Sequence, residues 1–191
     1  LKTDKSMKGV RAYAKVTLNG KSEAGEVQFT GYGLSGIPVL NLSRYAKEGD
    51  TVTLDLLTDI SEKELFEELK KRHNQTMETY LVGILNKQLG QMLLKECGIG
   101  KLSRNSGDLK DFEIEKIAKK LKNWDFTVTG KMGWDNAQVT MGGIELFEVN
   151  PKTMESKIVN GCYIAGEILD IDAKCGGFNL QWAWSSGFSA S

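Results

Sequence analysis

With 191 residues, 40% of them apolar, the chain is long enough for one large domain or two small ones around a real core. Lys plus Arg and Asp plus Glu each number 25, so there is no surplus of positive charge to neutralise a phosphate backbone or settle on an anionic membrane, and neither nucleic acid nor membrane is expected as a partner. No apolar run approaches the roughly 18 residues of a transmembrane helix, and the first eight residues are too polar for a signal peptide, so a cytoplasmic protein is expected.

From Met7 to Thr30 the residues alternate as strands do, with Val10, Tyr13 and Val16 in one run and Val27 and Phe29 in the next. Asn19-Gly20 between them is a strong hairpin signal. PVLNLSRYAKEG then reads as a short helix ending at Gly49, and TVTLDLL as another strand. At Ser61 the period changes to that of helices. SEKELFEELKKR opens with Ser61 and Glu64 at capping-box spacing, and METYLVGILNKQLGQMLLKECG carries apolar residues at helical intervals. Ser106 or Asp108 is predicted to cap a further helix from Asp111 to Asn123. After Trp124 short strands are expected again, in DFTVTG, AQVTMGG, IELFEV and GCYIAGEIL, before paired glycines open a last helix rich in Trp and Ser. The expected boundary falls between Trp124 and Lys131, where helices give way to strands.

Three widely spaced cysteines, Cys97, Cys162 and Cys175, form no Cys-x-x-Cys pair and have one histidine, His73, to join them, so a zinc cage is not expected and reduced thiols are. His73 lies in the charged stretch EELKKRHNQT and reads as a solvated residue between helices, not as the base of a hydrolytic triad. Asp170 and Asp172 suggest a calcium loop, but Lys174 and Cys175 stand where that loop needs an oxygen ligand and a glycine. GYGLSG, from Gly31 to Gly36, satisfies the dinucleotide pattern G-x-G-x-x-G, and Asp55 lies where a ribose-binding acid belongs. The preceding GEVQFT alternates with polar residues, whereas the first strand of a doubly wound sheet is buried on both faces. A glycine-rich strand-to-helix corner, with Pro38 in the first helical turn, is the better reading.

The last 50 residues hold the distinctive strings TMESK, GEILDID and GGFNLQWAWSSG, and Phe29-Thr30 through Leu42-Ser43-Arg44 follows FT-x-x-GLSG-x-x-x-LxLSR. Together they resemble a bacterial family of NAD(P)/FAD-dependent oxidoreductases that includes aminoacetone oxidase, with GLSG in an inserted domain. The opening KTDKSMKGVRAYA is similar to the start of that insert. The family's dinucleotide fingerprint, which stands at the start of the full protein, is not found, so a C-terminal fragment or processed form is expected.

The resemblance implies an α+β chain: an insert domain over residues 1–130 (strand-rich 1–58, helical 59–123, return strand 124–130), then residues 131–191 as the C-terminal segment of an FAD-binding domain lacking its N-terminal Rossmann half. It implies FAD as cofactor of the full-length enzyme, NAD(P)H as redox partner and a small-molecule substrate. Cys162 to Ala165 would form a buried strand ending at Gly166 and Glu167, where glycine admits close backbone approach and the carboxylate accepts a hydrogen bond from a ribityl hydroxyl. Gly176, Gly177, Phe178, Asn179 and Leu180 would open a helix whose positive end faces the isoalloxazine and favours the reduced flavin. Asp170 is a further contact, and Gly142 and Gly143 form a second close-approach point, for which an ordinary hairpin corner remains equally open. Trp182 and Trp184 are expected to pack in a core or interface. No catalytic acid or base is assigned. The alternative is a flavin-free insert module that covers substrate or binds protein, with no activity of its own.

Overall fold

The computed structural model describes residues 7–191, so the first six residues of the stretch read as the start of the insert lie outside it. By its contacts the chain divides into two compact units, the first ending at Lys131 and the second running from Met132 to Ser191.

In the first unit the Asn19-Gly20 turn has left-handed backbone at both residues, φ 49° and 76°, the geometry that matches the twist of a two-residue hairpin. It joins β1 (Arg11–Leu18) to β2 (Lys21–Thr30), with Leu18 opposite Lys21 and Arg11 opposite Gln28. β3 (Gly33–Ser35) pairs with the end of β2, β4 (Thr51–Asp55) with β1, and β5 (Trp124–Thr127) with β4, all antiparallel, in the order β3-β2-β1-β4-β5. Alternation sends Val16, Leu18, Val27, Phe29, Val52, Leu54, Trp124 and Phe126 into one core. There Phe29, Trp124 and Phe126 meet with ring centroids 5.3 to 6.2 Å apart.

GYGLSG is a hairpin and corner, as its alternating strand implies. Thr30 pairs with Gly33 across a tight turn, and a side chain at Gly36 would place its Cβ 2.3 Å from the Glu26 carbonyl oxygen, so the backbone crosses β2 too closely for any other residue. α1 (Ile37–Ser43) follows, with Pro38 in its first turn, and it ends at Ser43, not at Gly49 as expected, with turns in between.

α2 (Glu62–Lys70) starts with the expected reciprocal cap, the Glu64 N–H donating to Ser61 Oγ and the Ser61 N–H to Glu64 Oε2. Two further helix expectations need correction. The helix expected over residues 77–98 exists only as α3 (Lys87–Glu96), with Asn86 as its cap, while residues 77–86 run as successive turns. The backbone N–H groups of Met77 and Glu78 donate to the Arg104 and Leu102 carbonyls, Gly83 is left-handed at φ 89°, and Met77, Tyr80 and Leu81 are buried in this non-helical form. Tertiary hydrogen bonds and burial thus override an apolar spacing compatible with helix. α4 (Asp111–Lys122) is capped at Lys110; Ser106–Asp108 instead forms a 3-10 turn in which buried Ser106 accepts from the Gln75 N–H. His73 is exposed between α2 and α3, as expected.

The second unit contains α5 (Phe178–Ala190) and 3-10 turns at Trp134–Asn136, Leu146–Glu148 and Gly166–Ile168. The strands expected in AQVTMGG, IELFEV and GCYIAGEIL are not formed: only the isolated bridges Ile144–Leu169, Val149–Ser156 and Glu155–Tyr163 occur there. The buried strand expected at Cys162 to Ala165 is likewise replaced by an irregular segment with Cys162 and Tyr163 exposed. A strand needs a neighbour along its length to satisfy its N–H and C=O groups, and among the described residues these segments have none. Val149, Met154 and Leu169 make a small core, packed by Ile144, Ile164, Trp182 and Ala190. The described residues contain no helix long and apolar enough to cross a membrane. The chain is α+β, as expected.

Candidate functional site

All ten residues singled out in the sequence lie in the second unit, and the structure gathers them into two groups joined by α5. In the first group the Gly142-Gly143 turn runs beside residues 166–170. The Ile144 N–H donates to the Ile168 carbonyl at 2.8 Å and the Asp170 N–H to the Ile144 carbonyl at 3.0 Å. A Cβ at Gly143 would lie 2.4 Å from the Ile168 oxygen and 2.8 Å from the Asp170 nitrogen, so this glycine is required by backbone crossing backbone. Gly142, with φ 91° and nothing within 4 Å of a built Cβ, borders open space.

Gly166 is fixed at both of its backbone groups. Its N–H donates to Ser186 Oγ at 2.9 Å, and its carbonyl accepts from Trp182 Nε1 at 3.1 Å. Its φ of 79° is the left-handed conformation that favours glycine. Glu167 follows at the surface, with Oε1 accepting the Thr140 N–H at 2.7 Å. That bond ties the two strings together and leaves lone pairs on an exposed carboxylate. The Asp170 side chain is exposed nearby.

The second group is the start of α5. Gly176 and Gly177 have φ 139° and 88°, and Gly177 is the helix cap. The expected glycine-opened helix is therefore present, and the first-turn N–H groups of a helix have no partners within it. Asn179 has another task besides: its Oδ1 accepts the Ala173 N–H at 2.8 Å and its Nδ2 donates to the Ala173 carbonyl at 3.0 Å, stapling the preceding loop to the helix. Phe178 and Leu180 are exposed. Trp182 and Ser186, which hold Gly166, lie four and eight residues beyond Phe178, roughly 6 to 12 Å along the axis.

Ser186 and the indole N–H of Trp182 were not among the residues singled out. Their signal is W-x-x-x-S, which puts both side chains on one helix face; Ser186, a buried polar residue, also donates to the Trp182 carbonyl at 2.7 Å. Trp182 packs in the small core, as expected, while Trp184 is exposed.

The donor and acceptor chemistry suits a flavin. Ribityl hydroxyls are donors that an exposed carboxylate can accept, the electron-rich N1 and O2 edge is an acceptor that a helix start can serve, and Gly142 gives open space without a side chain.

A family model described as "HI0933-like protein barrel and H2TH domain" matches residues 3–139. A 3-dehydro-bile acid delta(4,6)-reductase of Clostridium scindens is 36% identical over 197 residues, covering 95% of this chain and 48% of the relative. Ribosomal RNA dihydrouridine synthases of Haemophilus influenzae and Escherichia coli are 34% and 33% identical, covering 99% and 91% of this chain and 48% and 43% of their own lengths. The chain thus spans about half the length of the curated relatives it matches.

Proposed function

The chain belongs to the HI0933-like family, which is related to FAD-dependent oxidoreductases, and on that premise we propose that it is the C-terminal portion of an FAD-dependent reductase whose flavin is held in part by residues 142–180. The observation that carries this reading is the fixed Gly166-Glu167 turn: Trp182 and Ser186 clamp both backbone groups of the glycine, so that the next carboxylate is presented in a set position.

In this reading Glu167 orients the ribityl chain, Gly142 admits close approach, and the start of α5 faces the isoalloxazine edge, where its positive end stabilises negative charge. Flavin, when bound, supplies hydride chemistry, with reduced NAD(P)H as the source of electrons. The boundary near residue 131 separates the insert from the returning flavin domain. The named activities of the relatives suggest the bond reduced: a 3-oxo steroid diene and a uracil ring both carry a carbon–carbon double bond conjugated to a carbonyl. A substrate of that class is proposed here.

The intact protein tests the proposal. It is expected to purify yellow and to oxidise NAD(P)H faster when offered a conjugated enone. A colourless protein that does not take up added FAD would refute it. The flavin-free module is favoured for residues 7–131 by the large core they hold by themselves. FAD uptake by the intact protein that needs the side chain of Glu167 would exclude that module as the whole function.

A further inference from the structure

In the first unit α2 and α4 lie side by side in opposite directions, with Lys70 near the end of α2 paired at 2.8 Å with Asp111 at the start of α4. Leu65 and Leu69 of α2 and Ile114, Ile117 and Leu121 of α4 face the core. On the outer side the two helices leave a groove of about 620 Å³ with Phe66 and Phe112 in its lining. Phe66 is half-buried, with Lys70 Nζ 5.5 Å from its ring centroid, whereas Phe112 stands 63% exposed in the first turn of α4. The rest of the groove is charged, and its charges are unusual in being unpaired. Nearby pairs are made within the chain, Lys71 with Glu68, Arg104 with Glu113, Lys120 with Glu96 and Lys122 with Asp55. The groove residues Glu62, Lys63, Glu115, Lys116 and Lys119 form no ion pair among the described residues. Glu115 and Lys119 have the i,i+4 spacing and order that favour a pair, yet do not make one.

We propose that the groove between α2 and α4 is the contact surface between two copies of this chain, related by a twofold axis. Two acids and three bases around a pair of aromatic rings suit neither a polyanion nor a polycation. They suit a surface that carries both signs and an apolar knob, and the groove itself is such a surface. A twofold axis through its middle, at Glu115 and Lys116, reverses its direction, so that residue i of one copy meets residue j of the other and j meets i. Glu115 of each copy then faces Lys116 of the other, and Phe112 of each copy reaches the far end of the other groove, where Lys119 lies over its ring. Every contact is made twice, and the five unpaired charges acquire partners without any rearrangement of the helices. Helices of 9 and 12 residues side by side present a face roughly 18 Å long and about 20 Å wide. That is below the approximately 800 Å² per partner of a standard interface, so the dimer is a weak one that dissociates at micromolar concentration.

Sedimentation velocity of the intact protein from about 1 to about 200 μM tests this, whether or not the protein binds flavin. The wild type is expected to pass from monomer to dimer over that range. Phe112→Glu, which puts a charge on the knob, is expected to raise the midpoint at least about tenfold. Glu115→Lys sets like charges against each other twice and is expected to weaken the dimer about as much, while Glu115→Lys combined with Lys116→Glu exchanges the signs and brings the midpoint back to within about threefold of the wild type. Where Phe112→Glu does not fold, the Glu115 and Lys116 variants, both at exposed positions, decide the matter. A wild type that stays monomeric throughout, which would leave the groove to a different protein or to solvent, overturns the proposal. So does a dimer that is indifferent to Glu115→Lys, or one that the exchanged pair does not restore.

Discussion

Gly143 and Gly166 are glycines for different reasons, and substitution separates them. Gly143→Ala drives a methyl group into the Ile168 and Asp170 backbone, and is expected to destabilise the intact protein by about 1–3 kcal/mol and to weaken flavin retention. A Cβ at Gly166 meets only Ala183, at 4.0 Å, so Gly166→Ala acts through its left-handed backbone and costs less, about 1 kcal/mol. Thermal melts of the two variants check the order. In the first unit the Arg104 guanidinium, 2.6 Å from Glu113, holds that carboxyl down at about 2, helped by the Lys110 N–H. A depressed carboxyl contributes stability that is present above its ordinary value of 4.5 and lost as pH falls towards 2. Glu113→Gln is therefore expected to cost about 1–3 kcal/mol at neutral pH and to show a smaller loss than the wild type between pH 5 and about pH 2, read by urea unfolding.

Among the elements, α5 links packing to function, because the residues that anchor it also set the Gly166 turn. Ser186→Ala leaves the Gly166 N–H without its partner, and a loss of about 1–3 kcal/mol is expected, together with faster exchange of that amide. Restoring the hydroxyl as Thr should recover most of it. Elements whose signals are local were legible from sequence: the Asn19-Gly20 hairpin, the Ser61-Glu64 cap and the glycines that open α5 all depend on residues a few positions apart. Elements that depend on distant partners were not. Residues 77–86 have helical apolar spacing, yet their backbone bonds run to Leu102 and Arg104. The segments 137–149 and 161–169 have strand-like composition but meet a neighbour only at isolated bridges, such as Ile144 with Leu169, so no ladder forms. At the site the glycines and Glu167 could be named from the strings, whereas the roles of Thr140, Ser186 and the Asn179 staple depend on which backbone group lies opposite, which no local pattern encodes.

At the scale of the whole molecule the two units differ in how much they bury. The first holds nearly all of the core and the five-stranded sheet, while the second exposes Trp134, Phe147, Ile158, Phe178, Trp184 and Phe188 around three buried apolar side chains. Amide exchange on this 191-residue chain is accordingly expected to show slow exchange in β1, β4 and α4 and faster exchange over residues 132–176, which form no α-helix and no strand beyond isolated bridges, with the Gly166 amide slowed by its bond to buried Ser186. FAD titration of the flavin-stripped intact protein, wild type against Glu167→Ala, goes to the heart of the matter. Saturable binding by the wild type, weakened roughly tenfold in a variant whose flavin-free form stays folded and loses only the exposed bond from the Thr140 N–H, is the result that follows from a carboxylate gripping the ribityl chain. Identical titration curves for the two proteins, or no binding by either, would contradict it.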